Sequence, residues 1–305
     1  MNLQDFRYLV AVAEQRHFGR AAETCHVSQP TLSSQIRKLE KELGVTLLER
    51  NNKRVDLTPV GGQILVHARE ALAHAAQMEA VARAARDPLD GPLRLGVIPT
   101  LAPYLMPIIL RPLRESYPRL VIELWEDQTR SLIEGLRSHR LDAALLATTP
   151  ESTELTEIPL FDEPLLAALP LDHPLAREAS VSENSLAGEL LVLADGHCLS
   201  NHALAACGAK PGSARTSLQS SMQAATLETL VNLVAAGYGA TLIPALAIRA
   251  LRHLDIVLLP LIGSSTRTIR LASRPGFPRP QALRALERII RSKVATALKE
   301  SVPSK

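Results

Sequence analysis

Val27-Ser28-Gln29-Pro30-Thr31-Leu32-Ser33-Ser34-Gln35-Ile36-Arg37-Lys38-Leu39-Glu40-Lys41-Glu42-Leu43 carries its own helix-start signal. The Ser28 hydroxyl is placed to accept from an orphan N–H of the first turn, and Pro30 falls where a missing N–H costs nothing. Leu32, Ile36, Leu39 and Leu43 recur at helical spacing as an inner stripe. The other face presents Gln29, Pro30, Thr31, Ser33, Ser34, Arg37, Lys38 and Lys41. Short polar groups near a helix start can reach base edges, and cations further along can meet phosphates.

Upstream, Leu3, Phe6, Val10 and Ala13 mark an amphipathic helix with Asn2 as its N-cap. A second, short helix begins near Phe18, carries the small packing residues Ala21 and Ala22, and ends near His26 and Val27. Downstream of Gly44, the segment from Leu47 to Leu57 alternates around Arg50, Lys53 and Arg54, the pattern of a short basic wing. Two helices, a tight turn, a capped third helix and a wing predict a winged helix-turn-helix head over 1–58. A solvated charged face on an ordinary bundle explains the cations but not their order.

Thr58-Pro59 starts a further helix, and the periodicity persists to about Arg86. Ile64, Ala68, Ala71, Ala75, Met78 and Ala82 alternate spacings of four and three, the heptad pattern of a seam between helices. A helix of about 40 Å with such a seam is too striped to stand alone, which predicts a homodimer through a linker spanning 59–90. Asp87-Pro88 and Gly91-Pro92 break it.

From there short strands alternate with helices. Strands are expected at Leu93–Ile98, Val121–Glu126, Ala143–Ala147, Leu165–Ala168, Leu190–Leu193, Ala240–Ile243 and Ile269–Ala272. Helices are expected at Leu101–Tyr117, Ser131–His139, Leu227–Ala236 and Gln281–Leu298. Such alternation predicts parallel sheets with covering helices, arranged as two α/β lobes with a cleft between them. Lobe I takes 91–162 plus 268–305, and lobe II takes 163–267.

With 46% hydrophobic residues the 305-residue chain can bury several cores, and no apolar run reaches the roughly 18 residues of a membrane span. A net charge of +3 is too small to name a partner, so any nucleic-acid role rests on where the cations gather. The polar start from Asn2 to Gln15 lacks the marks of a secretory signal, which predicts a cytoplasmic protein. Structural disulfides are unexpected there.

Of the three cysteines, Cys198 follows His197 and precedes Cys207 by nine positions. Two neighbouring thiols, one beside an imidazolium that could stabilise a thiolate, suit a reversible redox switch. Two quiet core thiols suit the residues as well. Cys25 reads as a core thiol of the head. No spacing of His, Cys and acidic residues forms a metal site, although His202 stands close enough to His197-Cys198 to invite a metal assay. No nucleophile motif points to an enzyme. If the stretch between the cysteines is helical, they stand about 13 Å apart on nearly opposite faces, whereas a disulfide needs Cα atoms within roughly 7 Å.

Ala21-Ala22, Val27-Ser28-Gln29-Pro30-Thr31-Leu32-Ser33, Gln35-Ile36, Leu39-Glu40, Leu43-Gly44, Leu47-Leu48-Glu49-Arg50 and Leu57-Thr58 together resemble the signature of LysR-type transcriptional regulators. The resemblance extends over the whole chain. It implies a DNA-binding head, a dimerising linker helix and an effector domain of periplasmic-binding-protein type, usually in a homotetramer that binds a double-stranded DNA operator. It makes the protein a regulator with no resident cofactor, and RNA polymerase a partner.

Gly96-Val97-Ile98-Pro99-Thr100, Pro159-Leu160-Phe161-Asp162-Glu163-Pro164, Asp195-Gly196-His197-Cys198-Leu199 and Leu227-Glu228-Thr229-Leu230 are similar to the hydrogen-peroxide-sensing members of that family, activators of oxidative-stress genes. That similarity implies Cys198 as the peroxidatic thiol and Cys207 as its resolving partner. It further implies Thr100, Thr129, His197 and Arg267 around the peroxide, and cellular thiol reductants to reset the disulfide. The competing expectations are a LysR-type regulator that binds a small organic effector between its lobes, with inert cysteines, and a thiol peroxidase that turns over.

Overall fold

The computed structural model describes residues 1–50, 55–149, 154–208 and 224–301. It divides into two compact units, Met1–Ala82 and Arg83–Lys305.

The first unit opens with α1 (Leu3–Gln15), α2 (Phe18–Thr24) and α3 (Gln29–Leu43). Asn2 caps α1 by accepting from the backbone of Gln4 and Asp5, and Asp5 returns the bond to the Asn2 N–H. Reciprocal capping of this kind satisfies donors the helix cannot use itself. The buried face of α1 is centred on Leu9 and Val12 with Tyr8, while Leu3 is exposed and Phe6, Val10 and Ala13 only flank the core. The expected stripe was therefore rotated by about one residue. Asp5 and Tyr8 are polar enough to hide the true face from a count of apolar positions.

In α3 the Ser28 hydroxyl accepts from Thr31 N at 3.3 Å, and Leu32, Ile36 and Leu39 are fully buried. Gly44 ends the helix at a φ of 70°, a left-handed conformation that glycine adopts at low cost. β1 (Leu48–Arg50) and β2 (Val55–Leu57) pair antiparallel as the wing. The 28-residue α4 (Pro59–Arg86) follows.

The second unit contains β3 (Gly91–Val97), α5 (Ala102–Ser116), β4 (Leu120–Glu126), α6 (Thr129–Arg137), β5 (Ala143–Leu146) and β6 (Thr156–Pro170). It continues with α7 (Cys198–Ala206), α8 (Leu227–Ala235), β7 (Thr241–Pro244), α9 (Ile248–Leu251), β8 (Ile256–Pro260), β9 (Thr266–Ser273) and α10 (Pro280–Ser301). The strand order is β4-β3-β5-β9-β6-β7, with β8 also on β6.

Among the described strands the parallel pairings are β3 with β4 and β3 with β5, and the other strand pairs are antiparallel, so the expected parallel sheets are replaced by a mixed arrangement. The chain crosses between lobes on strands, and strands that cross side by side in opposite directions pair antiparallel. Residues 156–164 of β6 pair with β9, whereas residues 165–170 pair with β7 and β8. One strand thus serves both lobes. Its first half escaped the sequence reading because Pro159 and Pro164 interrupt it, and the register shifts between Pro159 and Phe161.

The strand expected at Leu190–Leu193 is reduced to isolated bridges, Leu190 to Ala240 and Leu193 to Ala224. Its backbone turns between two different partners, so no ladder propagates. β8 was missed because a short apolar run is ambiguous by periodicity alone.

Candidate functional site

Cys198 is the first residue of α7 and Thr129 the first of α6, so two helix N-termini converge on one thiol. Orphan N–H groups and the positive ends of both helices favour a thiolate there. Gly196 makes the approach possible. Its φ is 95°, and an added Cβ would stand 2.3 Å from Gln128 Oε1. The Gln128 amide donates in turn to the Asp195 carbonyl at 3.4 Å, tying the segment before α6 to the segment before α7.

Cys198 is 7% exposed, and the cavity it borders, about 1520 Å³, is also lined by Trp125, Thr129, Arg130, His197 and Asn201. Burial pushes its pKa up. The Arg267 charge, the Thr129 hydroxyl and the N–H groups of Cys198 and Leu199 pull the other way without overcoming burial. The thiol therefore rests protonated in a setting that holds a thiolate once formed. The Thr129 hydroxyl is buried against the thiol, where it can donate to the thiolate.

Arg267 is wholly buried. Its Nη2 stands 2.8 Å from Glu163 Oε2, its Nη1 donates to Thr100 Oγ1 at 2.8 Å, and Nη2 donates to the Thr100 carbonyl at 2.9 Å. Thr100, Thr129, Arg267 and Cys198 are thus gathered as expected from positions far apart in the chain. His197 is brought there too, but burial pushes its pKa down, so it is a neutral imidazole near pH 7. The cation beside the thiol is Arg267, which corrects the expectation of a stabilising imidazolium.

Cys207 caps the other end of α7, is 2% exposed, and has its pKa pushed up to about 11 by burial and by the charge of Glu183. Both cysteines are free thiols. The stretch between them is helical, which meets the condition set from the sequence, and at about 1.5 Å per residue it holds them about 13 Å apart. Cys25 sits at the end of α2 and is only half-buried.

Two features escaped the sequence reading, and a third was noticed there only as a possible metal ligand. Glu163 partners Arg267, and no local pattern signals a pair 104 positions apart. Tyr104 on α5 donates to Glu228 on α8 at 2.8 Å, a tie between the lobes. His202, one turn beyond Cys198, has a buried Nδ1 with no hydrogen-bond partner. Its closeness to His197-Cys198 marks it in the sequence for a metal assay. Among the described residues no group of three or more His, Cys, Asp or Glu side chains is placed to hold a metal, and no helix is long and apolar enough to cross a membrane.

On the head, Ser28, Gln29, Pro30, Thr31, Ser34, Arg37 and Lys38 are exposed along one side of α3, and Ser33 is half-buried. Lys53 and Arg54 lie outside the described residues, as does the side chain of Arg50. Of the expected seam, Ile64 and Ala68 pack into the core of the head itself, Ala71 and Ala75 are half-buried, Ala82 is exposed and Met78 is 72% exposed.

A winged helix-turn-helix followed by a long helix and a two-lobed domain defines a bacterial transcription regulator with a periplasmic-binding-protein-like effector domain. Residues 3–62 match the bacterial regulatory helix-turn-helix protein, lysR family, and residues 86–295 match the LysR substrate binding domain. The chain belongs to the LysR family.

Within the family it is similar to OxyR. It is 46% identical over 297 residues, 96% of each chain, to the DNA-binding transcriptional dual regulator OxyR of Escherichia coli K12. A cysteine-to-aspartate variant of full-length OxyR from Pseudomonas aeruginosa superposes with a TM-score of 0.73 at 37% identity, covering 95% of this chain and 98% of that one. A hydrogen-peroxide-bound cysteine-to-serine variant of Corynebacterium glutamicum OxyR superposes with a TM-score of 0.68 at 34% identity, covering 98% and 94%.

Proposed function

We propose that this protein is a hydrogen-peroxide-responsive transcriptional regulator whose signal is reversible disulfide formation between Cys198 and Cys207. The observation that carries this reading is one helix with a free thiol at each end, the first of them at a cavity wall between two helix N-termini and beside Arg267. The cysteine-to-serine OxyR structure that holds peroxide supports the choice of oxidant.

The chemistry balances in two steps. Cys198 sulfur attacks one oxygen of peroxide, the O–O bond breaks, and sulfenic acid and water result. Cys207 sulfur then displaces that hydroxyl as a second water, forming the disulfide. Because the helix holds the thiols too far apart, the second step requires α7 to unwind. The refolded lobe alters how paired heads present α3 to a double-stranded operator.

The protein acts in the cytoplasm as a homodimer through α4 and as a homotetramer. It activates oxidative-stress genes with RNA polymerase, and cellular thiol reductants reset it. It is a regulator and not an enzyme, because the disulfide is the signal and each oxidation ends in it.

An operator footprint before and after peroxide, with wild-type protein and Cys198→Ser, tests this directly. The footprint is expected to change only in wild type. A Cys198→Ser protein that responds to peroxide normally overturns the reading, and a peroxide-blind wild type stabilised by a small organic compound favours an effector-binding regulator instead.

A further inference from the structure

His202 follows Cys198 by four positions on α7, a spacing that puts the two β-carbons on one helix face about 5–6 Å apart. The imidazole stands against the Cys198 carbonyl, and Arg267 acts electrostatically on both His202 and the Cys198 thiol. Ser200 and Asn201 line the cavity through which oxidant reaches the sulfur, whereas His202 is not part of that wall. Its Nδ1 is buried without a hydrogen-bond partner, an arrangement proteins rarely leave without a purpose. Near neutral pH burial and Arg267 keep the ring uncharged, so a lone pair is available on it. The resting thiol has the complementary need, because it is protonated and only a thiolate attacks peroxide.

Resting on the peroxide-sensing function proposed above, we infer that His202 is the proton acceptor and donor for oxidation of Cys198. As peroxide arrives, the Cys198 thiol proton passes to the His202 imidazole. The thiolate electron pair attacks the nearer peroxide oxygen, an S–O bond forms and the O–O bond breaks. The departing hydroxide takes the proton back from the imidazolium as water. Cys198 ends as the sulfenic acid and His202 ends neutral, so the residue is ready again once the disulfide has been reduced. Arg267 offsets the thiolate charge, and its own partner Glu163 also accepts from Leu246 N. The groups that act on the ring are Arg267 on β9, through its charge, and Cys198 on the same helix, through its backbone carbonyl.

The experiment follows Cys198 oxidation by peroxide in the full-length reduced protein across pH 6 to 9.5, in wild type, His202→Gln and His202→Ala, using rapid thiol trapping and mass spectrometry. Wild type is expected to show a rate that rises as the imidazole deprotonates below neutrality and then stays level. Glutamine keeps size and hydrogen bonding but cannot take a proton. His202→Gln is therefore expected to be slower on the order of 10²-fold near pH 7, with a rate climbing about tenfold per pH unit with the thiolate fraction. A His202→Gln protein with the wild-type rate and level profile overturns the inference. If His202→Ala folds poorly by circular dichroism, His202→Gln decides alone. A wild-type protein that leaves Cys198 unoxidised fails the proposed function itself, a different result from a reactive wild type matched by His202→Gln.

Discussion

Glu163 on β6 and Arg267 on β9 are paired directly across the two strands where they cross between the lobes, and neither side chain is exposed to solvent. Their ion pair reaches both sides of the crossing. Arg267 donates to Thr100 ahead of α5, and Glu163 Oε1 accepts from Leu246 N beside α9. The hinge of the effector domain is therefore the source of positive charge at Cys198.

Breaking that pair leaves a buried charge without its partner. Glu163→Gln is expected to lower stability by about 3–5 kcal/mol in denaturant unfolding. Arg267→Met should in addition push the Cys198 pKa further up and slow its alkylation, because the opposing guanidinium is lost.

The thiols set a second, pH-dependent expectation. Cys207 has a folded pKa of about 11, above its ordinary value of 9.0, so the stability it contributes is fully present below pH 9 and is lost as pH rises through 11. Unfolding free energy should decline over that window in wild type and less so in Cys207→Ala. Below pH 9 in native buffer, iodoacetamide should leave Cys207 unmodified, and denaturant should release it.

Helix α7 competes with the disulfide. Ala205 is an exposed position within it, and Ala205→Gly should weaken the helix by about 1 kcal/mol. If oxidation unwinds α7, the reduced state alone bears that loss, and the Cys198–Cys207 couple should shift about 20 mV more negative in thiol-buffer titrations. Amide exchange across residues 198–207 should accelerate on oxidation. An unshifted potential with unchanged exchange would contradict the refolding step.

Tyr104 to Glu228 is a charge-assisted bond between the lobes. Tyr104→Phe removes the donor and keeps the ring, so stability should fall by about 1–3 kcal/mol. Thermal unfolding of the isolated reduced protein measures it.

For the head, Arg37 is exposed on α3 and suited to a phosphate contact. Arg37→Ala should weaken binding to operator and unrelated duplex alike and reduce the salt slope of log affinity by about one per protomer. Selective loss at the operator would instead assign Arg37 to base readout.

How much of this was legible varies with the range of the interaction. Asn2, Ser28, Pro30 and Gly44 announce helix ends because capping chemistry is local, and the head followed from them. The α7 helix between Cys198 and Cys207 was legible only as a condition, because its alanines and leucine permit a helix but no side chain caps its start. The face of α1 was misplaced because Asp5 and Tyr8 are buried, and β6 was cut short because prolines mask a strand that spans both lobes.

The sequence by itself determined the helix-turn-helix head, the long linker helix and the presence of two cysteines nine positions apart. Those depend on residues near one another in the chain or on a family pattern read along it. Only the tertiary structure decided which group carries the positive charge at Cys198, and how Glu163 and Arg267 join the lobes. Charge and protonation are governed by burial and by partners brought together from distant positions, and no spacing along the chain reports either.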